Sequence, residues 1–172
     1  SADNNPLIFQ AEGRIVGLEA DLARVLQSSL GQPLQFQVLA PAELLPALAE
    51  ASRTVGSPQI RNAGTLGGNL GTCSPAGDGL PVLAALDAEL RLVSAGGERT
   101  IPVTEFMVGV KRTALGPGEL IAEIVIRTRP GWQGYAKVGV RNAMVIAIAS
   151  ACLAVDESNE RVAIALGSVA PT

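Results

Sequence analysis

The chain contains no histidine among its 172 residues. This absence excludes hydrolases that use a histidine base, and it excludes most zinc sites. Only two cysteines occur, Cys73 and Cys152, whereas an iron–sulfur cluster takes four cysteine ligands. Two cysteines so far apart in sequence indicate reduced thiols in a cytosolic protein, with one disulfide as the alternative. The sequence therefore predicts no metal site.

Aromatic residues and positive charge are also scarce. Aromatic residues make up 3% of the chain, and 13 lysines and arginines stand against 16 acidic residues. Without a basic stripe or stacking platforms, nucleic acid is not an expected partner. The longest apolar stretch, residues 143–155, is shorter than the roughly 20 residues of a membrane span, and residues 1–6 lack the features of an export signal. We therefore expect a cytoplasmic protein with no membrane contact.

What is abundant is apolar sequence, at 48% against 17% charged residues, which is typical of a globular domain with a buried core. Residues 1–40 have the pattern of a β-α-β segment. Its parts are a strand at 7–9, an amphipathic helix over 18–30 and a strand at 34–39.

The pattern of residues 41–172 predicts an α+β domain, in which helices precede antiparallel hairpins. A helix whose start is bracketed by Pro41 and Pro46 ends at Gly56 and Pro58, and a long irregular segment over 59–79 follows it. The remaining predicted elements are a helix over 81–86, a hairpin of strands 89–93 and 99–103, and strands 119–128, 145–155 and 161–168. Because residues 145–155 are apolar on both faces, we predict a central strand there, with a buried helix as the alternative.

Within the irregular segment, Thr65-Leu-Gly-Gly-Asn69 has the composition of an anion-binding loop. Adjacent glycines allow positive φ, so successive N–H groups can converge into a nest, and Thr65 and Asn69 add side-chain donors. The spacing matches neither a Walker A loop nor a dinucleotide-binding fingerprint. A tight turn without ligand is the alternative.

The sequence around this loop is similar to that of the FAD-binding subunit of molybdenum hydroxylases, the family of xanthine dehydrogenase and carbon monoxide dehydrogenase. The similarity is carried by Arg61-Asn-Ala-Gly-Thr-Leu-Gly-Gly-Asn-Leu70 and Ser74-Pro-Ala-Gly-Asp78. It continues through Ile101-Pro-Val-Thr-Glu-Phe106 and Ala136-Lys-Val-Gly-Val-Arg-Asn142 and covers about residues 41–172. The resemblance implies a flavoprotein oxidoreductase module that passes electrons from molybdenum and iron–sulfur partner subunits through FAD to an acceptor.

The resemblance also implies a set of cofactor-binding residues, while catalytic residues remain unknown. The FAD diphosphate would contact the loop residues Thr65, Leu66, Gly67, Gly68 and Asn69. The ribityl and adenosine side would contact Ser74 and Asp78, the isoalloxazine would lie near Glu119 and Leu120, and Lys137 would lie near the flavin edge. Asp78 as a simple helix N-cap is the alternative for that residue. Lys137 and Arg141 are the best cationic candidates for a cleft.

The chain also departs from the family. Residues 1–40 lack the family's Ala-Gly-Gly-rich first diphosphate loop and faintly resemble the opening of periplasmic amino-acid-binding proteins. Family members continue past residues 167–172 into helices that cover the last sheet. The resemblance thus implies a second FAD subdomain with the start of a C-terminal sheet, truncated at both ends. A bare apolar sheet face predicts a homo-oligomer, most simply a two-fold dimer.

Two functions follow from these observations. The first is an FAD-binding electron-transfer module of a molybdenum-hydroxylase-type oxidoreductase. The alternative is a cofactor-free, repurposed or chimeric FAD-domain scaffold, either a cleft isomerase or cyclase or a non-catalytic oligomeric module. A cleft enzyme would need Asp78, Lys137 or Tyr135 as its polar groups.

Overall fold

The computed structural model describes residues 45–170 and, nearer the N-terminus, residues 9–11 and 14–16. The chain divides into two compact units, Ser1–Leu39 and Ala40–Thr172.

In the first unit, strands β1 (Phe9–Ala11) and β2 (Arg14–Val16) pair in an antiparallel hairpin. The helix predicted over 18–30, the strand predicted over 34–39 and most of the strand predicted at 7–9 lie outside the described residues.

The second unit alternates short helices and strands. Its described helices are α1 (Pro46–Thr54), α2 (Pro58–Ala63), α3 (Leu66–Thr72), α4 (Gly79–Ala85) and α5 (Val103–Phe106). Its described strands are β3 (Glu89–Ser94), β4 (Gly97–Pro102), β5 (Met107–Gly109), β6 (Arg112–Thr113), β7 (Leu120–Val125), β8 (Gln133–Val138), β9 (Ala149–Asp156) and β10 (Arg161–Gly167).

All of these strands pair antiparallel with their neighbours. One sheet has the order β4-β3-β7, another has the order β10-β9-β8, and β5 pairs with β6. The strand predicted over 145–155 is confirmed as central strand β9, and the buried-helix alternative is wrong. The α+β class is confirmed.

Helix α4 separates two hydrophobic clusters and contributes to both. Its Val82 and Ala85 pack with α1 and with Cys152 of β9, while its Leu80 and Leu83 pack with α3 and β3. A helix that is apolar on all sides is typical of such a central position. This arrangement fixes the start of α4 against both α3 and the β10-β9-β8 sheet.

The prediction of an irregular segment over residues 59–79 is wrong, because α2 and α3 occupy much of it. Each helix has a side-chain N-cap. Ser57 Oγ accepts a hydrogen bond from Ile60 N at 3.3 Å, and Thr65 Oγ1 accepts one from Gly68 N at 2.9 Å. The glycines lower helix propensity and obscure the periodicity, but the caps and Pro58 at the first turn of α2 define the helix starts.

Strand β10 presents an exposed apolar row at the edge of its sheet. Val162, Ile164 and Leu166 are 60%, 69% and 62% exposed, and they alternate with residues that face the interior. The bare apolar surface expected from the sequence is therefore present on this strand.

Candidate functional site

Helix α3 begins inside the glycine-rich segment. Besides the side-chain cap, the Thr65 carbonyl accepts a hydrogen bond from Asn69 N at 3.0 Å. The N–H groups of Leu66 and Gly67 have no acceptor within the part of the chain that the structure describes. Both glycines at 67 and 68 are helical and neither has a positive φ. The nest and the tight turn are therefore both wrong, and the first turn of a short helix supplies the open N–H groups instead.

One side of α3 consists of bare backbone. Gly67 and Gly71 are four residues apart and share one face of the helix. A Cβ atom added at either position would meet nothing within 4 Å, whereas one at Gly68 would lie 3.0 Å from Thr65 Oγ1. At Gly67, in the first turn, this open backbone lets a ligand approach closely.

Asn69 joins α3 to the start of α4. Its Oδ1 accepts a hydrogen bond from Gly79 N at 3.2 Å. A Cβ at Gly79 would lie 2.7 Å from Asn69 Oδ1, and a Cβ at Gly77 would lie 2.9 Å from Asn69 Nδ2. The two glycines are therefore required by the close approach of the Asn69 amide. Asn69 holds the two helices together as well as facing the cavity described next.

A cavity of about 540 Å³ lies beside the start of α3, within the size range of small-molecule sites. Three of the predicted FAD-binding residues, Thr65, Leu66 and Asn69, contribute to its lining. Arg53 and Arg61 also line it, and half of the remaining lining residues come from α1. The open Leu66 N–H and two guanidinium groups form a donor set that fits a diphosphate, whereas the predicted contacts Gly67 and Gly68 are not among the lining residues. We call this the α3 cavity.

Sequence reasoning missed Arg53 and Arg61 as lining residues. Arg61 was part of the motif that carried the resemblance, but its role depends on where α2 turns. Its Nη1 donates to the carbonyl oxygens of Val55 and Gly56 at 2.9 and 3.0 Å, which places the guanidinium at the end of α1.

A second polar cluster joins Asp78 to β8. The Tyr135 hydroxyl donates to Asp78 Oδ1 and the Lys137 ammonium donates to Asp78 Oδ2, each at 2.8 Å. Lys137 also donates to the Thr54 carbonyl at 3.0 Å, and Glu50 Oε2 accepts from Tyr135 N at 3.0 Å. The side chains of Asp78 and Lys137 are only 7% and 6% exposed. This cluster connects α1, the start of α4 and β8.

The simple capping role of Asp78 is wrong, because its side chain makes no capping hydrogen bond. Burial, reinforced by the hydrogen bond to Asp78, raises the pKa of Tyr135 well above its usual range. The phenol therefore stays protonated and remains a donor to the carboxylate. The three groups that a cofactor-free cleft enzyme would need do meet, and they bond to one another.

Glu119 and Leu120 lie away from the α3 cavity lining. The Glu119 carboxylate pairs with Arg99 at 2.8 Å and accepts a hydrogen bond from Gly116 N at 2.6 Å. The guanidinium of Arg99, followed by the Gly116 N–H, lowers the pKa of Glu119 to about 2. Leu120 is half exposed in β7. Ser74, another predicted contact, lies in the turn after α3, where its carbonyl accepts from Gly77 N at 2.8 Å.

The two cysteines are buried free thiols, so the disulfide alternative is wrong. Burial raises the pKa of Cys73, and it raises that of Cys152 to about 11. Across the described residues there is no group of three or more His, Cys, Asp or Glu side chains that could hold a metal ion. None of the helices described is long and apolar enough to cross a membrane.

Comparison with known proteins identifies relatives among flavin subunits. The chain is 38% identical over 111 residues to the glyceraldehyde dehydrogenase medium chain of Sulfolobus acidocaldarius, covering 64% of this chain and 40% of that protein. It is 40% identical over 115 residues to the nicotinate dehydrogenase FAD-subunit of Eubacterium barkeri, covering 63% and 38%. The chain thus spans about two fifths of the length of these curated relatives.

Solved structures give the same result. A chain of carbon monoxide dehydrogenase from Hydrogenophaga pseudoflava superposes with a TM-score of 0.71 at 31% identity, covering 78% of this chain and 48% of that one. Quinoline 2-oxidoreductase from Pseudomonas putida 86 superposes with a TM-score of 0.71 at 25% identity, covering 95% and 55%. The family described as the FAD binding domain in molybdopterin dehydrogenase matches residues 35–128. Because the match covers more than half of this chain, the chain belongs to the family of FAD-binding domains of molybdopterin dehydrogenases.

Proposed function

We propose that this chain forms one wall of an FAD site in a molybdenum-hydroxylase-type oxidoreductase. The observation that carries the proposal is the first turn of α3, where Thr65 and Leu66 line the α3 cavity and the Gly67 backbone is open, inside the segment that matches the family. The family's cofactor is FAD, and when bound it supplies one- and two-electron transfer.

In this proposal the FAD diphosphate lies against the first turn of α3. Leu66 and Gly67 would donate backbone N–H groups, and Gly67 and Gly68 would allow close approach. Thr65 keeps the turn in place by capping Gly68, and Asn69 fixes α3 to α4.

The remaining contacts proposed from the resemblance lie further out. Asp78 and Lys137 form a buried ion pair. Only the exposed edge of this pair would contact FAD, with Asp78 towards the ribityl chain and Lys137 towards the flavin edge. Ser74, in the turn after α3, would contact the ribityl and adenosine side together with Asp78. The Glu119 carboxylate accepts hydrogen bonds from Arg99 and from Gly116 N. Any contact of Glu119 with the isoalloxazine would therefore be made by its backbone, beside Leu120.

We also propose that the complete protein works with partner subunits. The solved relatives include a Cu,Mo-CO dehydrogenase, and one curated relative is a subunit of a dehydrogenase complex. Electrons would pass from molybdenum and iron–sulfur centres in those partners to FAD. A cytoplasmic location belongs to the same proposal.

The direct test is to titrate the purified chain with FAD and follow the flavin fluorescence and the visible absorption spectrum. Saturable uptake with a flavin band at ~450 nm supports the proposal, because bound FAD supplies the electron-transfer chemistry. A chain that takes up no flavin at any accessible concentration is a scaffold without the cofactor.

A homo-oligomer is proposed separately, from the exposed row of Val162, Ile164 and Leu166 on edge strand β10. An apolar row beside unpaired edge N–H and C=O groups favours pairing with a second copy about a two-fold axis. Light scattering at micromolar concentration should give a dimer mass, and Ile164→Lys should give a monomer. A monomeric parent chain would contradict this proposal.

A further inference from the structure

A second cavity lies between helix α4 and the end of strand β10. Its volume is about 390 Å³, which is within the size range of small-molecule sites. Leu80, Pro81 and Ala84 line it from α4, and Leu166 lines it from β10. The described residues that line this cavity and those that line the α3 cavity have no member in common. We call it the α4–β10 cavity.

The walls of the α4–β10 cavity are held together by direct contacts. Ser168 N donates a hydrogen bond to the Pro75 carbonyl at 2.8 Å, and both residues line the cavity. Strand β10 also lies close to α4, because a Cβ added at Gly167 would lie 3.3 Å from Pro81 Cγ. The cavity is therefore preformed, so a ligand would not have to order its walls on binding.

The lining of the α4–β10 cavity carries no charge. Among the described residues that line it there is no Asp, Glu, Lys or Arg. An ionised group placed there would lose hydration without gaining a charged partner, which is unfavourable. The α3 cavity is different in this respect, because Arg53 and Arg61 line it. The ligand that fits the α4–β10 cavity is therefore uncharged.

Two sulfur-containing side chains and one hydroxyl narrow the class of ligand further. Met107 and Cys73 both line the cavity, and methionine side chains make favourable contacts with aromatic rings. Thr104 also lines the cavity and is exposed, so its hydroxyl is open to a hydrogen bond with a polar group on the ring. An aromatic molecule with one hydroxyl or carbonyl substituent matches this set of side chains.

We propose that the α4–β10 cavity is a binding site for an uncharged aromatic molecule that carries a hydrogen-bonding substituent. This site lies outside the FAD wall, and the proposal does not rest on FAD binding. Because the two cavities have different lining residues and different charge, each can be tested without the other.

The experiment is a titration of the isotope-labelled chain with 2-naphthol, followed by two-dimensional amide NMR. We expect saturable shifts of the Leu80, Ala84 and Met107 signals, with a Kd below about 1 mM, as suits a ligand of this size. The matched probe 2-naphthoate has the same rings and a carboxylate, and it should bind at least about tenfold more weakly. No saturable shift with 2-naphthol, or equal affinity for the two probes, overturns the proposal.

Thr104→Val tests the hydrogen bond to the ligand. It keeps the shape of the side chain and removes the hydroxyl, so it should weaken 2-naphthol binding by roughly twofold to tenfold. The matched control is Thr100→Val, which changes an exposed threonine of β4 outside the cavity and should leave binding unchanged.

Ala84→Leu tests the location of the site by filling part of the cavity. It should weaken 2-naphthol binding at least about tenfold, whereas Ala95→Leu, at an exposed alanine outside the cavity, should not. Thermal unfolding shows whether Ala84→Leu is folded, and if it is not, the Thr104→Val result decides. If the folded variants at positions 84 and 104 bind 2-naphthol like the parent chain, the site is elsewhere and the proposal fails.

A final titration separates this site from the FAD wall. Saturating FAD should leave 2-naphthol binding unchanged. If FAD displaces 2-naphthol, or if the shifted signals are those of Thr65 and Asn69, the probe occupies the FAD site and the proposal fails. If the chain takes up no FAD but binds 2-naphthol beside Ala84, the proposed function fails and the α4–β10 site stands.

Discussion

The Tyr135 hydroxyl donates a hydrogen bond to Asp78 Oδ1 at 2.8 Å, linking strand β8 to the start of α4 across 57 positions of sequence. Both residues are buried, at 7% and 6% exposure of the whole residue. Asp78 also receives the Lys137 ammonium, so the carboxylate is satisfied by two donors from alternate positions of one strand. A buried carboxylate is tolerated only when it is paired and hydrogen-bonded. The cluster therefore has a structural role, because it holds the start of α4 against β8.

Tyr135→Phe should destabilise the chain by about 1–3 kcal/mol, because it leaves a buried carboxylate oxygen without its donor. Urea unfolding followed by circular dichroism measures the change. Trp132→Phe is the control, since Trp132 is 56% exposed and surface substitutions of this kind usually change stability by less than about 0.5 kcal/mol. Equal stability of Tyr135→Phe and the parent chain would show that this hydrogen bond contributes nothing.

Glu119 should make stability depend on acid pH. The Arg99 guanidinium and the Gly116 N–H lower its pKa in the folded chain to about 2, from an ordinary value of 4.5. A group with a depressed folded pKa stabilises the fold above its unfolded pKa, and that contribution is lost as pH falls. Glu119→Gln should therefore flatten the loss of stability between pH 4.5 and about 2.

The measurement for Glu119 is thermal unfolding at a series of pH values, with Glu157→Gln as the control for removing one exposed carboxylate. The parent chain and Glu157→Gln should lose stability in parallel over this pH range. A Glu119→Gln curve with the same acid slope as the parent chain would show that the ion pair with Arg99 does not form in solution.

The sequence predicted strands and apolar helices well because their signals are local. Alternation marked β3 and the continuous apolar run marked β9, and both predictions are confirmed. Strand β8 was not predicted, since Gly134 interrupts its alternation and the hydrogen bonds of its Tyr135 and Lys137 side chains are with residues far away in sequence. The order β10-β9-β8 could not be derived without that strand.

The candidate site was predicted in part. The motif selected a segment in which Thr65, Leu66 and Asn69 line one cavity, and their contact with FAD stays a prediction. The local conformation was wrong, because Thr65 as an N-cap turns a glycine-rich sequence into a helix. The association of Asp78 with Tyr135 and Lys137 is a tertiary contact between α4 and β8, and no periodicity in the sequence encodes it. The same holds for Arg53 and Arg61, whose positions depend on how α1 and α2 turn.

Gly79→Ala should destabilise the chain although position 79 starts a helix, where alanine is normally favourable. The added Cβ would lie 2.7 Å from Asn69 Oδ1 and would displace the amide that accepts from Gly79 N. We expect a loss of about 1–3 kcal/mol, as for overpacking a core. Ala85→Gly, at the other end of α4, provides a comparison of similar size without this contact.

A double-mutant cycle tests whether the Asn69 contact causes the effect. Asn69→Ala alone should also destabilise, because Gly79 N then loses its acceptor. Combining it with Gly79→Ala relieves the overlap, so the two losses should be less than additive by about 0.5 kcal/mol or more. Strict additivity in chemical denaturation would mean that the two positions do not interact.

Gly67→Ala should have opposite effects on stability and on FAD binding. The added Cβ meets nothing within 4 Å, and replacing glycine by alanine within a helix stabilises it by roughly 0.5–1 kcal/mol. The same methyl group would stand on the backbone where we propose that the diphosphate lies, so FAD affinity should fall at least about tenfold, which corresponds to about 1.4 kcal/mol.

Gly71→Ala is the matched control. Position 71 lies one turn further along the same open side of α3, so the substitution should give the same gain in stability with little change in FAD affinity. Thermal unfolding and FAD fluorescence titration of the two variants separate the effects, because a variant that only disturbed folding would lower both quantities together. Unchanged FAD affinity in a more stable Gly67→Ala chain would place the cofactor away from the start of α3.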